Sequence, residues 1–215
     1  MAVESVIEFE QIGIGAILKQ YRLHVPKYQR DYAWTDAEVT SFLQDISLAI
    51  QTDESQYFLG TIVTIKRSNE VLEVVDGQQR LATTTALLMS AMRVLVGNTN
   101  VNLRSLISGL LTSIDVKTLQ EEAQISLNFA DNDVFKSLIV DGKAGNGFIK
   151  TRNSHVLLVE AFEAAKGHLQ TITKGVAPNK AITVYQQWIE YFMSKVKTIL
   201  LRVPPLHDPA LSRER

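Results

Sequence analysis

Two β-branched runs, Phe58 to Lys66 and Val71 to Val75, flank a polar turn at Ser68-Asn69-Glu70, and the second runs straight into Asp76-Gly77. Runs of this kind bounded by turn residues read as a β-hairpin. After Arg80 comes an apolar-rich stretch, Leu81 to Val96, which reads as a helix ending near Gly97-Asn98. A hairpin whose second strand turns at once into a helix calls for a mixed α and β core. With 46% hydrophobic residues and only 7% aromatic ones, that core should be mostly aliphatic.

Around this centre the pattern is readable in pieces. Residues 8–20 read as a helix with Ile14, Ile17, Leu18 and Tyr21 on one side. Leu23-His24-Val25 is extended, as the following Pro26 favours. Thr35 followed three residues later by Glu38 has capping-box spacing, and Val39, Phe42, Leu43, Ile46 and Ile50 then recur at helical spacing. The second half reads as mainly helical. Asp131 is placed to cap a helix bearing Val134, Phe135, Leu138 and Ile139, and further helices are expected over 154–173 and 179–200. In the last of these, Tyr185, Trp188, Tyr191 and Phe192 sit at spacing that suits packing. Between them, Asp141 to Gly147 reads as a mobile loop, and Val203 to Arg215, with its prolines and charges, as a disordered tail.

The turn Asp76-Gly77-Gln78-Gln79-Arg80 is the first candidate site. Asp76 is a natural N-cap, and glycine at 77 lets the backbone turn sharply and approach a ligand. A helix start presents unpaired N–H groups and a favourable dipole to an anion. Arg80 in the first turn is unfavourable by that dipole, so it is better explained by a phosphate or an acid partner. Gln78 and Gln79 offer amides to phosphate, base or water, and Asp76 could hold magnesium through water. Spacing alone leaves a second reading equally open, in which Asp76 is only a cap, Gly77 a turn and Arg80 a surface ion pair. A second candidate is Val25 to Trp34. Residues 19–31 carry Lys19, Arg22, Lys27 and Arg30 against Asp31 alone, on a chain of net charge -1. Tyr28, Tyr32 and Trp34 interleave with the charges. Cations meet phosphates and aromatic faces stack bases, although aromatics that cover a core are the commoner case.

Taken in order, Val25 to Trp34, Phe58 to Val63 and Asp76 to Thr84 resemble the N-terminal domain of GmrSD-type restriction endonucleases. The family pattern is close to I-P-x-Y-Q-R-x-Y-x-W, F-L-G-x-I-V and D-G-Q-Q-R-L-T-T, with Val25 here for isoleucine and Ala82 before the threonines. Leu127 to Phe135 also resembles a family segment. The resemblance implies an α+β fold, a small mixed sheet of ParB/sulfiredoxin-like type followed by a mainly helical region. The division expected is a nucleotide-binding core over 1–98, a helical region over 99–202 and a tail over 203–215. It implies a nucleoside triphosphate with Mg2+ as ligand. Gly77, Gln78, Arg80, Gln29 and Arg30 would bind nucleotide, while Asp76, Gln79 and Arg80 would act in hydrolysis, Asp76 through the metal. Lys27, Tyr28, Arg30 and Trp34 would form a DNA-reading surface. Two family elements, an N-x-R-G motif and a His-Asn-His nuclease domain, do not follow Ile199 to Val203. That favours binding over turnover and leaves cleavage to a separate nuclease subunit.

Other signals are weak. The chain has no cysteine, which removes thiol and Cys-zinc chemistry and suits a reducing cytoplasm. No run approaches the roughly 18 consecutive apolar residues of a membrane span. The glycines at 142, 145 and 147 lack the ending of a P-loop, and His24, His155, His168 and His207 have no metal-ligand spacing. The expectation is a nucleotide-binding sensor of a phage-defence restriction system. The alternatives are a non-catalytic module that reads modified DNA and a truncated, inactive remnant.

Overall fold

The structure is a computed structural model that describes residues 6–68, 71–95, 101–115, 118–140 and 151–204. The elements run β1 (Glu8–Gly13), α1 (Ile14–Gln20), β2 (Arg22–His24), α2 (Asp36–Gln51), β3 (Tyr57–Lys66), β4 (Val71–Asp76), α3 (Gln78–Val94) and α4 (Val101–Leu111). They continue with β5 (Thr112–Ile114), β6 (Glu121–Ala123), β7 (Ile125–Ser126), α5 (Asn132–Val140), α6 (Asn153–Ile172), α7 (Pro178–Ser194) and β8 (Val196–Val203). The fold is α+β. Its main sheet is mixed, in the order β1-β8-β3-β4-β2-β7, and β5 and β6 form a separate ribbon.

The hairpin forms as its sequence predicts. β3 and β4 are antiparallel, with a bulge between Val63 and Thr64. The capping box forms too, since the Glu38 carboxylate accepts the Thr35 N–H at 2.7 Å. The helix expected over 8–20 is instead a strand followed by a short helix. β1 pairs with β8 along its whole length, and the Glu8 and Glu10 carboxylates accept hydrogen bonds from Arg202 at 3.0 and 3.3 Å. A partner almost two hundred residues away thus outweighs local helical spacing. Gly13 and Gly15 then let α1 press on α7, because a Cβ at either would stand 3.0 Å from the Met193 carbonyl oxygen.

The helix expected over 179–200 ends at Ser194, and the chain becomes β8. Val196, Thr198 and Leu200 are buried while Lys197, Ile199 and Leu201 are half-buried, a period of two that a strand requires. β8 lies between β1 and β3 and is parallel to β3. The later half supplies an inner strand of the sheet, and one core runs from Ile12 to Leu200. The loop at 141–147, the helix end at 97–98 and residues 205–215 lie outside the described residues, while Val203 ends β8.

α3 is the axis of the core. Leu81, Ala82, Ala86, Leu87 and Leu88 are almost wholly buried, and α3 packs closely on α6. The α7 aromatics Tyr185, Trp188 and Phe192 are buried as their spacing predicts. Trp188 stacks on Phe192 and meets the His168 ring edge-on. The Trp188 indole N–H donates to the Ser47 hydroxyl, which stands 2.8 Å from His168 Nε2. Burial pushes the His168 pKa down, so the neutral ring is favoured there. No helix among the described residues is long and apolar enough to cross a membrane.

Candidate functional site

Asp76 remains in the ladder of β4, opposite Val63, with its carboxylate exposed. Gly77, not Asp76, is the N-cap of α3, and no side chain caps the helix. Gly77 has φ +96°, and a Cβ there would meet Ile62 at 3.0 and 3.3 Å. Only glycine suits both constraints.

Arg80 turns away from the helix toward β3. Its Nη1 donates to the Leu59 carbonyl at 3.0 Å, and its Nη2 stands 3.6 Å from Asp76 Oδ2. The guanidinium lies over Gly60, whose φ is +108° and whose missing side chain makes the room: a Cβ there would fall 1.9 Å from Nη1. Asp76 offsets the helix dipole that disfavours a cation in this turn. One guanidinium donor is engaged with backbone, and 23% of the Arg80 side chain stays exposed.

Gln78 and Gln79 do something different. Both are buried, and both clamp the loop 26–35. Gln78 Nε2 donates to the Arg30 carbonyl and Gln79 Nε2 to the Asp31 carbonyl, each at 3.2 Å. Gln79 Oε1 accepts the Ala33 and Trp34 N–H groups at 2.8 and 3.4 Å. Gln29 extends the clamp by donating to the Val75 carbonyl at 2.9 Å.

From the other side, Asn128 Nδ2 reaches the Gln29 carbonyl and Asp31 Oδ1, both at 3.0 Å. Buried Asp131 stands at the start of α5, its carbonyl accepting the Phe135 N–H at 3.0 Å, while its carboxylate accepts the Tyr32 N–H at 2.7 Å and the Ser154 hydroxyl at 2.6 Å. Tyr32 is buried, its hydroxyl 2.7 Å from Thr83 Oγ1, and burial raises its pKa.

This fixed loop separates two clefts. At its end, Trp34, Glu38, Phe42, Asp45, Tyr57 and Arg80 line a cleft of about 470 Å³. Trp34 and Phe42 have ring centroids 5.9 Å apart. Burial, and then the Asp45 carboxylate, raise the Tyr57 pKa. At the start of the loop, Lys27, Asp31, Asn128, Phe129 and Arg152 line a cleft of about 360 Å³.

The predicted residues are therefore divided. Asp76 and Arg80 pair beside the first cleft, and Trp34 lines it rather than a surface shared with Lys27 and Tyr28. Tyr28 is exposed, with its hydroxyl donating to Glu73 at 3.1 Å. Arg30 borders a crevice of about 10 Å³ with Gln78, Gln79 and Asn128, too narrow for part of a nucleotide. Sequence reasoning gave no role to Tyr57, Gly60, Phe129 or Arg152. Gly60 carried a signal, since a glycine inside a strand marks a bulge or a close approach.

Among the described residues, no three His, Asp, Glu or Cys side chains gather as a metal site. Exposed Asp76 stands beside Arg80, and Glu38 and Asp45 line the same cleft without gathering into a cage, which suits magnesium carried by phosphate oxygens and water.

Residues 14–204 match the family described as GmrSD restriction endonuclease, N-terminal domain, and the match spans the hairpin, both clefts and β8. No curated protein matches the chain at a significant level.

Proposed function

The chain belongs to the GmrSD restriction endonuclease N-terminal domain family, and from that premise we propose that it is the nucleotide-binding sensor of a modification-dependent restriction system. The observation that carries this reading is Arg80, fixed over Gly60 beside an aromatic cleft and loosely paired with exposed Asp76. A guanidinium that is held in place and still partly exposed suits phosphate oxygens. The cleft volume lies within the roughly 300–1,000 Å³ of small-ligand sites. Trp34, Phe42 and Tyr57 supply aromatic surface for a base.

Glu38 and Asp45 also line this cleft and would repel a bare triphosphate. A nucleotide that arrives with Mg2+ answers that charge, and Asp76 would meet the metal through water. Gln79 is a positioning residue in this reading. Its amide is engaged at both ends, so it cannot orient a water without releasing the loop. Binding is thus favoured over rapid turnover.

Tryptophan fluorescence tests the proposal. Trp188 is buried and Trp34 lines the cleft, so Mg2+-nucleotide should change the emission of wild type and of Trp188→Phe but not of Trp34→Phe. Arg80→Ala, checked by its melting curve for retained fold, should weaken binding about tenfold or more, the scale of a charge-assisted contact. A folded wild type that takes up no nucleoside triphosphate with Mg2+ would overturn it.

A further inference from the structure

Phe129 is 79% exposed, as open as any large apolar side chain among the described residues. It is not on a loose segment. Asn128 Oδ1 accepts the Asp131 N–H at 3.1 Å, and the Ala130 carbonyl is 2.9 Å from His155 Nε2. A rigid turn therefore holds an aromatic ring out in water.

One cation stands over that ring and a second lines its cleft. Lys27 Nζ stands 5.5 Å from its centroid, and Arg152, half-exposed and 3.4 Å from Asp31 Oδ2, lines the same cleft. Arg30 and the exposed Tyr28 ring lie on the same loop as Lys27.

We propose that this cleft takes an unpaired base of a nucleic-acid strand, stacked on Phe129, with the flanking phosphates on Lys27 and Arg152. Stacking on an exposed ring needs a free base face, which a duplex does not offer. Aromatic platforms set among cations are the common chemistry of single-strand binding. Lys27 and Arg152 border one open cleft, where the phosphates on either side of a stacked base can each meet a cation. The cleft at Arg80 has the opposite character, with two carboxylates on its wall. The inference goes beyond the nucleotide reading and stands apart from it.

The test is fluorescence anisotropy with a labelled oligothymidine strand at low salt, using the full chain. Wild type should bind the strand about tenfold or more tightly than a duplex of equal length. Phe129→Ala should weaken strand binding about tenfold, the scale of one lost stack, and Phe129→Trp should restore it. Lys27→Ala and Arg152→Ala should each weaken binding and flatten its salt dependence. Arg80→Ala should leave it unchanged, so that failure of the nucleotide reading is seen separately. No strand binding by folded wild type, equal affinity for duplex, or an unchanged Phe129→Ala would each overturn the proposal. So would displacement of the strand by Mg2+-nucleotide at the concentration that fills the Arg80 cleft.

Discussion

The two clefts at the ends of the 26–35 loop share one scaffold and have opposite charge. Beside Trp34, Glu38 and Asp45 face one cation among the described residues, Arg80. Beside Lys27, that lysine and Arg152 face one acid among the described residues, Asp31. The first suits an anion that brings its own metal, and the second suits bare phosphate. The difference teaches that motif residues close in sequence need not serve one ligand. Gln78 and Gln79 face inward and fix the loop, whereas Asp76 and Arg80 face outward beside one cleft only.

The largest expected effect strikes the shared scaffold. Asp131→Leu leaves the buried Tyr32 N–H and Ser154 hydroxyl without their acceptor. At about 1–3 kcal/mol for each unsatisfied group, chemical denaturation should show a loss near 3 kcal/mol. Both affinities should fall together. A variant that lost only one would break the picture of a common scaffold.

Next, Gly60→Ala should separate the clefts. Its φ of +108° strains any side chain by about 1–3 kcal/mol, and the new Cβ would displace the Arg80 guanidinium. Nucleotide affinity should drop while strand affinity holds.

These two variants also show what was legible in sequence. The hairpin and the helix start at Thr35 rest on neighbouring residues, so local pattern revealed them. β1 and β8 depend on each other across nearly the whole chain, and the spacing of Val196 and Leu200 fits a helix as well as a strand. The strand-to-helix turn at Asp76–Arg80 was legible, but the inward role of Gln78 and Gln79 was not. Their partners are backbone groups of a distant loop. Phe129 sat within a segment already resembling the family, yet nothing in its neighbours says that the ring is exposed.

A smaller effect should come from pH. His168 ties α6 to Ser47 on α2 and to Trp188 on α7, away from both clefts. Its folded pKa is lowered by burial, so its contribution is present above the unfolded imidazole value of about 6.5 and is lost as pH falls. Melting temperature should decline on acidification less steeply in His168→Gln than in wild type, with the ratio of the two affinities unchanged. An equal decline in both proteins would remove His168 from the account.

Smallest of all, Phe129→Ala should alter stability by less than about 0.5 kcal/mol, because the ring is exposed. A large loss would mean that Phe129 supports the fold rather than a ligand.

The most direct test of the central claim is calorimetric titration of a nucleoside triphosphate into the folded chain, with Mg2+ and then with chelator, for wild type, Asp45→Asn and Arg80→Ala. Wild type should bind with Mg2+ and lose most of its affinity in chelator. Asp45→Asn should narrow that gap by easing repulsion of the bare triphosphate, and Arg80→Ala should bind weakly in both. Equal binding by wild type and a folded Arg80→Ala would contradict the assignment of the phosphates to the Arg80 cleft.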